Sequence, residues 1–168
     1  IQEPTVIANP GVLVGLNALL DRCARVTLVP GEVVTRHPDT VIVITTNNNY
    51  SGCRDMNQSV LSRMYLIINM EAPDVETLAK RAMKVTGCKD RTAVMDMAAA
   101  VTTISEHCKE HMINDGCCGV RELISWVQSY MICGNILEAA SYTVLSSVSG
   151  DPENRADISS CLEQIFAA

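Results

Sequence analysis

The chain has 168 residues, of which 48% are hydrophobic, and a formal charge of −6. This composition predicts a packed globular protein with one good core or two small ones. The sequence has no basic patch and no apolar run of the roughly 18 residues that cross a bilayer, so we expect neither nucleic acid nor a membrane as partner. Eight scattered cysteines favour buried, reduced thiols in a cytoplasmic protein over a disulfide framework.

The first part of the chain predicts helix and then a hairpin. Apolar residues recur at helical spacing from Leu13 to Cys23, just after the breaker pair Asn9-Pro10. Valines flank the turn signal Pro30-Gly31, so residues 26–40 are predicted to form a short hairpin.

Two apolar stretches predict strands. Val41–Thr45 is apolar on both faces, which is typical of an interior strand covered on both sides. The sequence MYLIINM at 64–70 has the same character. A loop at 46–56 and a short helix over Asn57–Ser62 are predicted to connect the two.

After Pro73 the sequence predicts helices only. Gly87 is placed to end the first of them. Asp151-Pro152-Glu153 combines a capping aspartate, a proline at the first position and an acid near the positive end of the dipole, which together predict the start of the last helix. The predicted helical segments are 75–86, 94–112, 119–134, 136–150 and 152–166.

These patterns predict two domains, an α/β domain at 1–72 and an all-helical domain at 73–168. The α/β domain holds too few strands to be complete, because a doubly covered parallel strand needs neighbours at both edges. We therefore expect part of a larger sheet, with the remainder supplied by a partner or removed.

Three polar residues are candidates for nucleotide chemistry. Asn47 follows the first predicted strand, at the edge where open α/β sheets bind ligands, and its amide suits a water and a phosphate oxygen; the alternative is a loop cap. Arg63 precedes the second strand and suits a transferring phosphoryl group; the alternative is a solvated charge. Arg121 lies in the first turn of a helix, where a phosphate would offset the dipole; the alternative is an ion pair with Glu122 or another acid.

Taken in order, three motifs resemble the second half of an AAA+ ATPase module of the MoxR-like branch, which includes the CbbQ and NorQ type and the dynein- and midasin-related modules. The motifs are TTN at 45–47, MNQSVLSRM at 56–64 and GVRELISW at 119–126. The resemblance implies a partial P-loop-type parallel sheet followed by a helical lid. It implies that Asn47 is the sensor-one residue, that Arg63 is the arginine finger for the neighbouring subunit, and that Arg121 is sensor two.

The same resemblance implies an incomplete module. The sequence contains no G-x-x-x-x-G-K-S/T phosphate loop, and IQEP at 1–4 resembles the residues that follow the Walker B acids. We therefore expect a fragment that lacks the phosphate and magnesium ligands, binds no cofactor and does not hydrolyse ATP, whereas the parent uses ATP and magnesium.

The resemblance implies that the parent couples ATP hydrolysis to the remodelling or activation of a partner protein. It would work as a homo-oligomeric ring, with six subunits expected. The CbbQ type implies a partner with a von Willebrand factor A-type domain. Two other classes stay open: a non-enzymatic helical adaptor whose α/β part docks on another chain, and a zinc-stabilised helical protein.

The zinc alternative rests on EHCKEHMINDGCC at 106–118. His107 and His111 share one helical face, and Cys117 and Cys118 follow closely, so two histidines and two cysteines are available for zinc. Adjacent cysteines chelate a tetrahedral ion poorly, and Cys108 fits the apolar stripe of the helix. The sequence therefore favours the absence of a metal site over zinc binding.

Overall fold

The computed structural model describes residues 1–2, 10–29, 31–46, 56–113, 116 and 118–167, with the backbone alone at 10–12. The chain divides into two compact units, Ile1–Met70 and Glu71–Ala168. This boundary lies two residues before the one predicted from the sequence. Residues 3–9, most of the predicted loop at 46–56, Asn47 and Cys117 lie outside the described residues.

The first unit is built around a small apolar cluster. The predicted helix from Gly11 forms as a 3₁₀ helix at Pro10–Leu16 followed by α1 at Asn17–Leu20. Helix α2 covers Gln58–Leu61, close to the predicted Asn57–Ser62. Buried leucines of the first two elements cluster with Val60 of α2.

The predicted hairpin is confirmed. Strand β1 covers Arg25–Thr27 and β2 covers Val33–Thr35; they pair antiparallel with Val26 opposite Val34. The turn chemistry between the strands is local in sequence, which is why it could be predicted.

The predicted strand Val41–Thr45 is only partly realised. It is extended, and the described residues give it one parallel bridge, between Gln2 and Thr45. The amide of Thr45 donates to the carbonyl of Ile1 at 3.0 Å, and the backbone nitrogen of Ile1 donates to the carbonyl of Val43 at 2.9 Å. This pairing is too short to count as a sheet.

The faces of this stretch differ from the prediction as well. Ile42 and Ile44 pack against the leucine cluster of the first unit. Val41 and Val43 point the other way and are 82% and 63% exposed. The stretch is therefore covered on one face, not on both, because the described residues of this unit place no layer over the second face.

The predicted strand at 64–70 does not form. Residues 66–70 have no regular structure, and Tyr65 is 97% exposed. A strand needs a neighbour to accept and donate its backbone hydrogen bonds, and the described part of the first unit supplies none here. The structure thus shows a helical and hairpin unit, and it shows no P-loop-type parallel sheet among the described residues.

The second unit is helical, as predicted. Aspartate or asparagine side chains accept backbone N–H groups at four of its helix starts. Gly87 and Gly134 adopt positive φ angles of 75° and 73° and end two of the helices. The helices are α3 Val75–Thr86, α4 Arg91–Glu110, α5 Val120–Cys133, α6 Ile136–Tyr142, α7 Val144–Ser147 and α8 Pro152–Ala167.

The single helix predicted at 136–150 is wrong, because the structure breaks it between α6 and α7. The break lies at Thr143, which has φ −122° and ψ −81°. Its hydroxyl donates to the carbonyl of Ala139, and the hydroxyls of Ser146 and Ser147 donate to the carbonyl of Thr143. Such side-chain bonds compete with the helical ladder.

The core of the second unit is one cluster drawn from all six helices. Trp126 belongs to this cluster and is fully buried. Cys88 and Cys108 are buried in the same core, which fits thiols within apolar runs, whereas Cys23 of the first unit is exposed. No described helix has the length and apolarity needed to cross a membrane.

Candidate functional site

Arg63 is held firmly at the end of α2. Asn57 caps that helix by accepting the amide of Ser59 at 2.8 Å. Nε of Arg63 donates to Oδ1 of Asp21 at 2.8 Å, and Nη1 donates to the carbonyl of Ser59 at 2.6 Å. The side chain is 29% exposed. The alternative of a freely solvated charge does not fit these contacts.

A surface recess of about 230 Å³ lies beside this arginine. Arg22 and Arg63 border it, and Asp21 is the one carboxylate among its lining residues, so its charged lining carries a net positive charge. Its lining residues are Leu20, Asp21, Arg22, Ser62, Arg63, Met64 and Tyr65. The recess has the polarity that an anionic ligand needs.

Arg121 is exposed in the first turn of α5. Glu122, which the sequence offered as its ion-pair partner, instead accepts the amide of Gly119 at 2.8 Å and caps the helix. Among the described residues, no carboxylate lies within ion-pair distance of Arg121. A cation is thus placed by the positive end of the helix dipole without a described counter-charge.

The three predicted nucleotide residues are divided between the first unit, the second unit and the part of the chain that the structure does not describe. Arg63 belongs to the first unit and Arg121 to the second, and Asn47 lies outside the described residues. The assignments to sensor one, arginine finger and sensor two therefore stay predictions.

A second cluster joins α4 to α8. Nε2 of His107 lies 2.8 Å from Oδ2 of Asp157. The rings of His107 and His111 stack with centroids 4.0 Å apart and an angle of 25° between their planes. One nitrogen of each imidazole and one oxygen of Asp157 all lie within 4.8 Å of one another. The structure thus brings together the two predicted histidines.

The ligand set predicted for zinc differs from this cluster. Cys118 is not among the grouped residues, and Cys117 lies outside the described part of the chain. Asp157, which the sequence analysis missed, stands 50 residues beyond His107. The i, i+4 spacing of the histidines was the available signal, because helix periodicity places two side chains on one face but does not reveal which helix packs there.

Hydrogen bonds at helix starts lower the pKa values of two further carboxylates of the second unit. The amide of Ala93 lowers the pKa of Asp90, and the hydroxyl of Tyr130, 2.8 Å away, lowers it further. The same bond raises the pKa of Tyr130. The amide of Thr77 lowers the pKa of Asp74. These groups hold helices in place and lie at ordinary capping positions.

Comparison with protein-family models and with curated proteins gives no match. No protein-family model matches the chain, and no curated protein matches it significantly. What the chain does must therefore be argued from its own residues.

Proposed function

We propose that this chain supplies the second half of an AAA+ ATPase module of the MoxR-like type. Residues 1–70 would contribute to a larger parallel P-loop-type sheet, and residues 71–168 would form the helical lid. The parent protein would couple ATP hydrolysis, with magnesium, to the remodelling of a partner. The homo-oligomeric ring and a partner with a von Willebrand factor A-type domain belong to the same proposal and rest on family resemblance.

One observation carries the proposal: the first unit holds two apolar stretches of strand character whose side chains are exposed. Val41 and Val43 are exposed on one face of the first stretch. In the second stretch, each residue of Leu66–Ile68 is at least 60% exposed. Exposed apolar segments of this kind mark surfaces that another layer or strand covers. The parallel direction of the bridge between Gln2 and Thr45 agrees with a P-loop-type sheet, whose strands are parallel.

The contacts of Arg63 support its role as arginine finger. A guanidinium has five N–H donors, and the described bonds to Asp21 and Ser59 use two of them. The ion pair with Asp21 therefore orients the group and leaves donors for a phosphoryl oxygen. Orientation before the reaction is what makes such a charge effective in stabilising a transition state.

The test uses the natural protein that contains this chain, whose gene we expect to encode a glycine-rich loop ending in Lys-Ser/Thr before Ile1. Replacing Arg63 by Ala should lower ATP turnover by about 1,000-fold or more, as expected for a finger, while ATP binding is retained. Steady-state phosphate release and a nucleotide titration measure the two quantities.

Two matched variants separate catalysis from folding. Arg25→Ala removes an exposed arginine of the same unit that does not border the recess and should leave turnover within a few-fold of wild type. Asp21→Asn removes the charge but keeps an oxygen that can accept from Nε of Arg63, so turnover should fall far less than in Arg63→Ala. Equal losses in Asp21→Asn and Arg63→Ala would show that the ion pair alone matters and would refute the finger. No turnover in the wild-type protein would favour the helical adaptor, in which the exposed stretches dock on another chain.

A further inference from the structure

The end of α4 presents two imidazoles toward α8. His111 is the C-cap residue of α4, and its amide donates to the carbonyl of His107 at 3.0 Å, so the helical turn that sets their spacing is complete. Helical zinc motifs present two histidines by the same i, i+4 spacing. Asp157 enters from the second turn of α8. Three donors from two helices therefore converge on one place.

We propose that His107, His111 and Asp157 bind a divalent transition metal ion of the zinc class, with the fourth coordination position left to solvent. Imidazole nitrogen and carboxylate oxygen are ligands that zinc accepts in sites with three protein donors. Magnesium is excluded by the same donor set, since it prefers oxygen ligands. This site is independent of the nucleotide function proposed above.

The distances suit such an ion after small side-chain movements. Donor atoms around a tetrahedral zinc are roughly 3.3 Å apart, given bonds of about 2.0–2.1 Å. Here Nε2 of His107 and Oδ2 of Asp157 are 2.8 Å apart, and one donor atom of each of the three residues lies within 4.8 Å of the others. The two stacked rings need only turn so that each directs a nitrogen to a common point. His111 and Asp157 are exposed, which leaves an open path for the ion, whereas His107 is half-buried and fixes the position.

The ion would tie two elements of the helical core together. Helices α4 and α8 both contribute to the core of the second unit, and the hydrogen bond from His107 to Asp157 already joins them near the end of α4. A metal bridge would replace that bond with three stronger ones. Because the folded unit gathers the donors and the unfolded chain does not, the ion would raise the melting temperature of the unit.

The test is a titration of the chelator-treated 168-residue chain with Co²⁺, followed by displacement with Zn²⁺. We expect one equivalent of Co²⁺ with the intense visible bands of a four-coordinate ion and without a thiolate charge-transfer band. Zn²⁺ should abolish these bands and Mg²⁺ should not. His111→Ala should weaken binding by more than about 100-fold, since even loss of an outer-shell partner costs 10–100-fold.

Matched variants make the outcome decisive. His111 is exposed, so its replacement should not impair folding, and the melting temperature of His111→Ala should no longer rise with Zn²⁺. Asp157→Asn should weaken binding by about 10-fold or more. His37→Ala and Asp96→Asn remove a histidine and an aspartate outside the cluster and should bind as wild type does. A pale six-coordinate spectrum, a thiolate band, or wild-type affinity in His111→Ala would each overturn the site.

Discussion

Trp126 connects three helices of the second unit through one side chain. Its Nε1 donates to the carbonyl of Ile136 at 2.8 Å, which ties α5 to the first residue of α6. Its ring meets Phe166 of α8 edge-on, with centroids 6.1 Å apart. A side chain of this size that is fully buried contributes area, contacts and a hydrogen bond at once.

Replacing Trp126 by Phe should lower the free energy of unfolding by about 3 kcal/mol. We expect about 1 kcal/mol from the lost hydrogen bond and about 2 kcal/mol from the cavity that the smaller ring leaves. Urea denaturation followed by far-ultraviolet circular dichroism measures the change. Tyr142→Phe is the control, because Tyr142 is 66% exposed and should cost less than about 0.5 kcal/mol. Equal stability of the two variants would contradict the packing described.

Residues whose role is local or apolar could be predicted from the sequence, and residues that act across the fold could not. Trp126 falls within the apolar pattern of its helix, so its burial followed from periodicity. The ion pair of Arg63 with Asp21 joins residues 42 positions apart, and no pattern in either sequence segment predicts this contact. Asp157 was missed for the same reason, because its partner lies on another helix.

At the scale of elements, the helices of the second unit begin where a side chain accepts their first amides. Asp74 and Asp90 accept from Thr77 and Ala93 at 2.7 and 3.1 Å. Such bonds are local in sequence, which is why the cap at Asp151 could be predicted and is confirmed, although the helix predicted from 94 begins earlier, at Arg91. A strand depends instead on a neighbouring strand. The two strands of the hairpin are close in sequence, so they were predicted correctly. The strand predicted at 64–70 needs a partner from elsewhere in the fold, which the sequence pattern does not reveal.

Acid should destabilise the second unit through these caps. Hydrogen bonds lower the pKa of Asp74 and Asp90, and the bond from Lys80 lowers the pKa of Glu76. The folded unit therefore binds fewer protons at these groups than the unfolded chain. Their stabilising contribution is complete above the ordinary carboxyl pKa of about 4 and is lost as the pH falls through the lowered values of the folded state.

We expect the melting temperature of the second unit to fall as the pH drops below about 4, measured by thermal unfolding from neutral pH downward. The double variant Asp74→Asn, Asp90→Asn should melt lower at neutral pH and should depend less on pH in the acid range. Asp96→Asn, an exposed aspartate within α4, should keep the wild-type dependence. An acid profile unchanged by the double variant would show that the caps do not control it.

At the scale of the molecule, the two units differ in completeness. The helical unit buries apolar side chains from all six of its helices in one cluster. Among its described residues, the first unit buries three in its core cluster, Leu13, Leu20 and Val60. It leaves long apolar stretches exposed to solvent. A small core that exposes this much apolar surface is the expected state of a sheet that lacks its other strands.

Amide hydrogen exchange at residues 65–70 shows whether this segment is a strand that lacks its partner. In this 168-residue chain we expect exchange near the rate of an unstructured peptide, because the described structure gives these amides no strand partner. In the proposed AAA+ parent protein the same amides should be strongly protected, since neighbouring strands would pair with them. Equally fast exchange in both proteins would contradict the account and leave residues 64–70 as an exposed segment with no place in a sheet.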